Sequence, residues 1–287
     1  MNNPPARTFR FQQGASTLNL KLQLDSERPN HKTMETWLSQ GVFYEPDVSQ
    51  FIIKTLSPGD TVIDIGANLG YFTMLAALLV GEQGTVIAFE PDEANITDIK
   101  TNAILNGVTA RLRIIDKPAK EIAEETSFFI NSDNSGGNAL WDPAQFPGNI
   151  KSQADGKKIS MRSTTVDAEV KRLGIAKIKL IKIDTEGAEE LVLRGALQTI
   201  IDCEPTFVIC ELHNFGLERL GCSQQSLRTL MKKMGYDCFV LGFKAGLPHF
   251  VPEGSVIATP FIANVVFTRP EHLAPYWPTT QIDPRGF

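Results

Sequence analysis

The chain has 287 residues, 42% of them hydrophobic, enough to bury the core of one large domain or of one domain with a cap. A formal net charge of −5 argues against nucleic acid as a main partner. The longest apolar run, Met74 to Val80, is too short to span a bilayer, and the opening stretch MNNPPARTFRFQQG lacks the apolar region of a secretory signal. No membrane partner and a cytoplasmic location are therefore expected. Cys203, Cys210, Cys222 and Cys238 show no CxxC spacing and read as free thiols, not as a zinc or redox site.

Residues 1–45 are polar with scattered aromatics and read as an amino-terminal cap or substrate segment. From about residue 60, strand and helix signals alternate. TVIDIG is a buried strand, followed by a helix from about Gly70 to Val80. GTVIAFE is a second strand. The next helix runs from Asp92 to about Asn106, with Ile96, Ile99 and Ala103 on one face and Gly107 as a left-handed stop. RLRIID is a third strand, IKLIKID a fourth and PTFVICEL a fifth. A single helix from about Ala188 to Ile201 is expected between the last two. Ser223 is the expected N-cap of a helix carrying the stripe Leu227, Leu230, Met231 and Met234, and DCFVLGF and IANVVFTR supply late strands. This alternation argues for a mostly parallel α/β sheet with helices on both faces. The main domain is placed at 46–270 and a tail at 271–287. Residues 131–158, rich in Gly, Asn, Ser and Pro, break the alternation. A loop of this length is either functional or mobile, and Trp141 and Phe146 would suit a lid over an apolar substrate.

In VIDIGANLGYFT a strand breaks into glycine and re-enters a helix. Ligands of open α/β sheets sit at the carboxyl ends of the strands, where the strand order reverses. Gly66 and Gly70 would let a ligand approach the backbone. Asn68 and Tyr71 stand where a dinucleotide fingerprint, G-x-G-x-x-G, wants glycine. A pyrophosphate is thus a poor guest, and an adenosine with an amino-acid tail a better one. Glu90, twenty residues beyond Gly70, can accept from both hydroxyls of a ribose. Asp64 is placed to receive the ligand's amino group, and Asp116, ending the third strand, to meet the adenine. Each acid alone reads equally as a cap of the next helix; the set Asp64, Gly66, Gly70 and Glu90 at this spacing is the specific signal.

The stretches DTVIDIGANLGYFT, AFEPDEANITDIKTNAILNGV, IKLIKIDTEGAEELVLRGA and PTFVICELH resemble the FkbM-type S-adenosylmethionine-dependent methyltransferases, a class I (Rossmann-like) family. The likeness runs from about Gly41 to Arg269. It implies a seven-stranded sheet with one antiparallel strand, S-adenosyl-L-methionine as the methyl donor, and transfer to a hydroxyl of a secondary metabolite, sugar or glycan; some members methylate amide or amine nitrogen. GVFYEP also fits the family, and Glu45 is expected to close over the cofactor. Asn68 and Tyr71 are counted with Asp64, Gly66, Gly70, Glu90, Asp116 and Asp184 as cofactor-binding candidates.

Asp184, Glu186, Glu189 and Glu190 crowd into seven positions after the fourth strand. In the implied fold Asp184 points into the cleft beside Gly66, where it holds the donor's amino group, orients the acceptor or acts as a base; capping the next helix is the competing reading. For Glu189 and Glu190 a favourable place in the first helical turn, worth ~0.3–1 kcal/mol each, is explanation enough. CELHNFG brings Glu211, His213 and Asn214 to the end of the fifth strand, near Asp184. Oxygens of Asp, Glu and Asn would suit magnesium and His213 a transition metal, but an acid–base pair without metal is the expectation here. His213, oriented by Glu211, is the candidate general base. The acceptor is a small molecule or a peptide, and the oligomeric state is left open, a homodimer among the options. Three rivals stand beside the O-methyltransferase: an N-methyltransferase, a non-catalytic S-adenosylmethionine-binding module, and a nicotinamide dehydrogenase, disfavoured by the missing glycine.

Overall fold

A computed structural model of the chain describes residues 6–13, 16–242, 247–259 and 262–277. Residues 1–5 of the expected cap, Phe243 at the end of DCFVLGF and residues 278–287 of the expected tail lie outside the described residues. The chain opens with an antiparallel hairpin, β1 (Ala6–Gln13) and β2 (Ser16–Gln23), then helices α1 (Pro29–Ser39) and α2 (Pro46–Thr55). Next come β3 (Thr61–Ile65), α3 (Tyr71–Leu79), β4 (Thr85–Phe89), α4 (Glu93–Asn106) and β5 (Leu112–Ile115). A second hairpin, β6 (Glu125–Ile130) and β7 (Lys157–Arg162), stands apart from the main sheet and carries α5 (Ile150–Ala154) in its connection. The second half contains α6 (Val166–Leu173), β8 (Leu180–Ile183), α7 (Glu189–Arg194), α8 (Leu197–Cys203), β9 (Phe207–His213), α9 (Asn214–Arg219), α10 (Gln224–Lys233) and β10 (Asp237–Leu241). It closes with β11 (Pro248–Phe250), β12 (Ile262–Thr268) and α11 (Pro270–Leu273).

The main sheet has the order β11-β10-β12-β9-β8-β3-β4-β5. Strands β5, β4, β3, β8 and β9 are mutually parallel, and β12 runs antiparallel to both β9 and β10. The seven expected strands are thus present, and the short β11 extends one edge as an eighth. Chain order reverses between β3 and β8: one side is built outward through β4 and β5, the other through β9. The crevice at their carboxyl ends is where such sheets hold ligands.

Alternation along the buried strands splits the core into two layers. Val62, Val86, Leu180 and Ile209 join Phe51, Met74 and Ile99 on one face. Ile63, Ile65, Ile181, Ile183, Cys210 and Leu212 join Val166, Val192 and Leu227 on the other. Asp64, Lys182 and Glu211 fall between residues of the second layer, so their side chains emerge on the face that carries α2 and α3. Two features depart from the sequence reading. The helix expected over 188–201 breaks between Arg194 and Leu197 into α7 and α8. Gly195 is pressed against Lys120, whose carbonyl oxygen would lie 2.0 Å from an added Cβ, so a tertiary contact ends the first segment. The expected loop 131–158 is the tip of the β6–β7 hairpin, partly ordered into short turns at Ser135–Gly137 and Pro143–Gln145. The amino-terminal hairpin docks on α4, where Asn106 and Asn102 accept from the amides of Lys21 and Gln23 at 2.9 and 2.8 Å.

Candidate active site

The loop after β3 is folded by backbone contacts. The amides of Gly66 and Ala67 both donate to Phe89 O at 3.0 Å, tying the loop to the end of β4. Gly66 has φ of 79°, and a Cβ there would lie 1.8 Å from Asp184 O; no side chain fits between the ends of β3 and β8. Asn68 is also left-handed, at φ 53°, a region Asn tolerates better than most residues. Its amide donates to Glu90 Oε2 at 2.7 Å, and its Oδ1 accepts from Leu69 N and from Asn30 Nδ2. Gly70, at φ 91°, is the N-cap of α3 and packs against Ile99.

Glu90 is buried beneath this loop, and its Oε1 accepts from Asp92 N at 2.9 Å. Burial pushes its carboxyl up to about 7, against the pull of those backbone donors. Each oxygen holds one amide and keeps a second lone pair. The cleft above it is bounded by Gly66, Asn68, Phe89 and Glu90 on one side. Pro118, Ala119, Phe128, Gly136 and Leu140 form the opposite wall, and Asp184 and Thr185 the inner end.

Three expected cofactor residues stand elsewhere. Asp116 is exposed and borders a separate depression with Pro91, Lys100 and Met161. Strand β5 ends at Ile115, and it is Lys117, Pro118 and Ala119 that turn back to the cleft. Tyr71 lies in the core, its hydroxyl 3.0 Å from Ser49 Oγ and its ring edge-on to Tyr44. Asp64 sits below the cleft, not in its wall, and is 1% exposed. Its Oδ2 accepts from Thr73 Oγ1 at 2.6 Å, while its buried Oδ1 has no partner among the described residues. Burial raises its carboxyl, and Lys182, its register partner on β8, pulls the other way.

At the inner end of the cleft the structure gathers the carboxylates. Register places Ile183 of β8 beside Cys210 of β9, so Asp184 and Glu211 leave the sheet as neighbours. Glu186, held left-handed at φ 56°, turns back toward them. Oxygens of Asp184, Glu186 and Glu211 lie within 4.8 Å of one another. Lys182 Nζ, buried on the same face, pairs with Asp184 Oδ2 at 2.8 Å. Burial alone would lower that ammonium, but Asp184, Asp64 and Glu45 outweigh it and hold it above its ordinary range. Burial, reinforced by the charge of Asp184, drives the carboxyls of Glu186 and Glu211 well above theirs. Glu45, at the N-cap of α2 with φ 42°, faces the group with a buried Oε2 that has no hydrogen-bond partner among the described residues. Burial and Asp184 push it up to about 7, with Lys182 opposing.

His213 is brought to the site in a different role from the one expected. Its Nδ1 accepts from Gly216 N at 2.9 Å, capping α9. The neutral ring therefore carries its proton on Nε2, 3.9 Å from Glu186 Oε2, and presents a donor, not a base. Burial lowers its pKa, which favours this neutral form. Trp141 stacks on it at 6.0 Å and donates from Nε1 to Glu186 O at 2.5 Å, so the hairpin tip covers this corner.

Two site features were not foreseen. Glu189, buried and free of solvent, folds back so that its Oε1 accepts from Thr185 N, Thr185 Oγ1 and Gly187 N at 3.0 Å each, fixing the turn that carries Asp184 and Glu186. The glycine of TEG was the available signal: Gly187, at φ 109°, lies against Gly216, whose backbone carbon would be 2.2 Å from an added Cβ. The second feature is a broad, mostly apolar cavity of about 660 Å³ lined by Trp37, Tyr44, Glu45, Val240, Ile257, Ile262 and Asn264. It adjoins the carboxylates through Glu45 and through Asn264, which pairs with Glu211 across the β9–β12 ladder.

The sequence model described as the methyltransferase FkbM domain matches residues 64–238. Methyltransferase 1 of Beauveria bassiana (strain ARSEF 2860) is 28% identical over 161 residues, covering 48% of this chain and 59% of that protein. The 31-O-demethyl-FK506 methyltransferase FkbM of Streptomyces tacrolimicus is 29% identical over 158 residues, covering 49% of this chain and 60% of its own length. The chain thus spans about three fifths of the length of these curated relatives. Among solved structures, the methyltransferase FkbM of Methylobacillus flagellatus KT is similar at 15% identity and a TM-score of 0.45, over 75% of this chain and 47% of that one.

Proposed function

The chain belongs to the FkbM methyltransferase family, and on that premise we propose that it methylates a hydroxyl group on a small acceptor with a sizeable apolar part, of the secondary-metabolite class. The observation that carries this reading is the convergence of Asp184, Glu186 and Glu211 between the cleft and the apolar cavity. The residues fit S-adenosylmethionine on two counts. Gly66 leaves the backbone open where any Cβ would collide, and Glu90, which lines the cleft, holds only one backbone amide on each carboxylate oxygen. Glu90 would take the ribose hydroxyls on its spare lone pairs, Asn68 and Gly66 would floor the cleft, and Pro118, Ala119 and Phe128 would flank the base. When bound, the cofactor supplies an electrophilic methyl group on a sulfonium.

The chain's own residues supply position and a proton acceptor. The sheet holds the donor and acceptor sites side by side, and alignment of this kind is worth ~7–11 kcal/mol in well-oriented systems. An alcohol must also lose its proton. A carboxyl pushed up to about 7, as in Glu45, is matched to that task near neutral pH. Lys182 fixes Asp184, and the hairpin tip with Trp141 covers the corner. The Streptomyces relative acts, by its name, on 31-O-demethyl-FK506, which supports oxygen over nitrogen.

An amine acceptor is the second reading, because the same carboxylates would attract an ammonium. The test is methyl transfer from S-adenosylmethionine to matched pairs of apolar alcohols and amines, with products identified by mass. Alcohols as the better substrates support the proposal. Amines as the better substrates move it to nitrogen, and no turnover alongside tight S-adenosylhomocysteine binding leaves a binding module.

A further inference from the structure

We propose that Asp184, Glu186 and Glu211 bind one divalent cation of the magnesium or manganese class. The cation's role, though not its binding, rests on the acceptor reading above. Each residue offers one oxygen, all within 4.8 Å of one another. An octahedral shell with bonds of ~2.0–2.1 Å sets its ligand oxygens roughly 3–4 Å apart, so a small closing of the side chains completes one face. All three donors are hard carboxylates with no sulfur among them, which favours magnesium or manganese over softer ions.

Glu211 supplies an observation independent of the clustering. It is 6% exposed, one of its oxygens points into the group, and its carboxylate forms no hydrogen bond among the described residues. Buried carboxylates are normally paired or hydrogen-bonded. Lys182 is already committed to Asp184 Oδ2, and Glu45 Oε2, buried beside the cluster, has no hydrogen-bond partner among the described residues. A cation at the centre would answer all of these oxygens at once. Trp141 holds the Glu186 backbone carbonyl, which fixes the turn from which that side chain projects, and His213 Nε2 lies 3.9 Å from Glu186 Oε2. The open side faces the apolar cavity, where a bound cation would hold and acidify an acceptor hydroxyl.

The test is calorimetric titration of manganese chloride into the full chain, stripped with a chelator and dialysed, with electron paramagnetic resonance counting the bound ion. One manganese per chain is expected, displaced by magnesium, with affinity at least about tenfold weaker in Glu211→Gln and in Glu186→Gln. Thermal unfolding identifies a variant that has failed to fold, and the half-buried Glu186 provides the second variant should Glu211→Gln do so. No manganese bound at millimolar concentration, or binding unchanged by both substitutions, overturns the site. Titration of S-adenosylhomocysteine into the same metal-free protein reports on the cofactor cleft separately, so failure of the cation site and failure of the methyltransferase reading give different results.

Discussion

A Cβ on Gly66 would stand 1.8 Å from the carbonyl oxygen of Asp184, so the ends of β3 and β8 meet backbone to backbone. That contact sets the width of the cleft floor and the place of the carboxylates together. Gly66→Ala must both leave φ of 79° and push the strands apart. The expected result is a loss of ~2–4 kcal/mol in chemical denaturation, with S-adenosylhomocysteine binding abolished in calorimetry even at temperatures where the variant stays folded.

Glu90 gives a pH dependence with a definite sign. Its carboxyl titrates at about 7 in the folded chain against an ordinary 4.5. Between those values the folded chain keeps a proton that the unfolded chain has lost, so stability falls as pH rises through this window and levels off above it. Glu45 and Glu189 are also raised to about 7 and share the window. Glu90→Gln should therefore remove one part of the slope, on the order of 1–3 kcal/mol, and not all of it. The ionised carboxylate is the better acceptor for ribose hydroxyls, so affinity for S-adenosylhomocysteine should rise from pH 6 to pH 8 in the wild type and stay flat in the variant. An equal rise in both would remove Glu90 from the cofactor site.

Glu189 does not itself line the cleft, yet three donors of the Asp184–Gly187 turn depend on its Oε1. Glu189→Ala leaves them unpaired and should cost about 2–4 kcal/mol, with turnover falling through displacement of Asp184 and Glu186. Glu189→Gln keeps an acceptor oxygen and should recover most of both. Denaturation midpoints and turnover of the pair decide the matter.

For His213 the capping bond separates two roles. Asn is a good N-cap, so His213→Asn preserves the acceptor for Gly216 N, whereas His213→Ala removes it at a cost of about 1 kcal/mol. Turnover should be lower in His213→Ala than in His213→Asn, and the pH profile of the Asn variant should match that of the wild type. A collapse of turnover in His213→Asn with stability intact would restore the histidine as the base.

What the sequence revealed was local. Gly66, Asn68, Gly70 and Glu90 lie within a single β3–α3–β4 unit, and short-range turn chemistry and strand ends place them. Asp116 shows the limit of this reading. A strand end is uncertain by a residue or so, and with β5 stopping at Ile115 the side chain of Asp116 turns to solvent while Lys117 to Ala119 return to the cleft. Tyr71 went to the core because α3 is buried nearly all round, which its position in the motif does not disclose. Strands β6 and β7 were missed because they bury little: Phe128 alone is buried on β6, and no residue of Lys157–Arg162 is buried. The carboxylate cluster needed the register of β8 on β9, a long-range fact absent from either motif.

The hydrogen bond from Asn30 to Asn68, at 3.1 Å, joins residues 38 apart in sequence, and Asn68 in turn donates to Glu90. Arg28, two residues earlier, anchors the same segment to Asp98 and Asn95 of α4. Helix α1 is in this way a reporter for the loop it does not belong to: whatever immobilises Asn68 slows amide exchange in α1. Trimming the chain before residue 40 removes a donor from the loop, so a segment that lies outside the sheet altogether helps to set the conformation of the loop that lines the cleft.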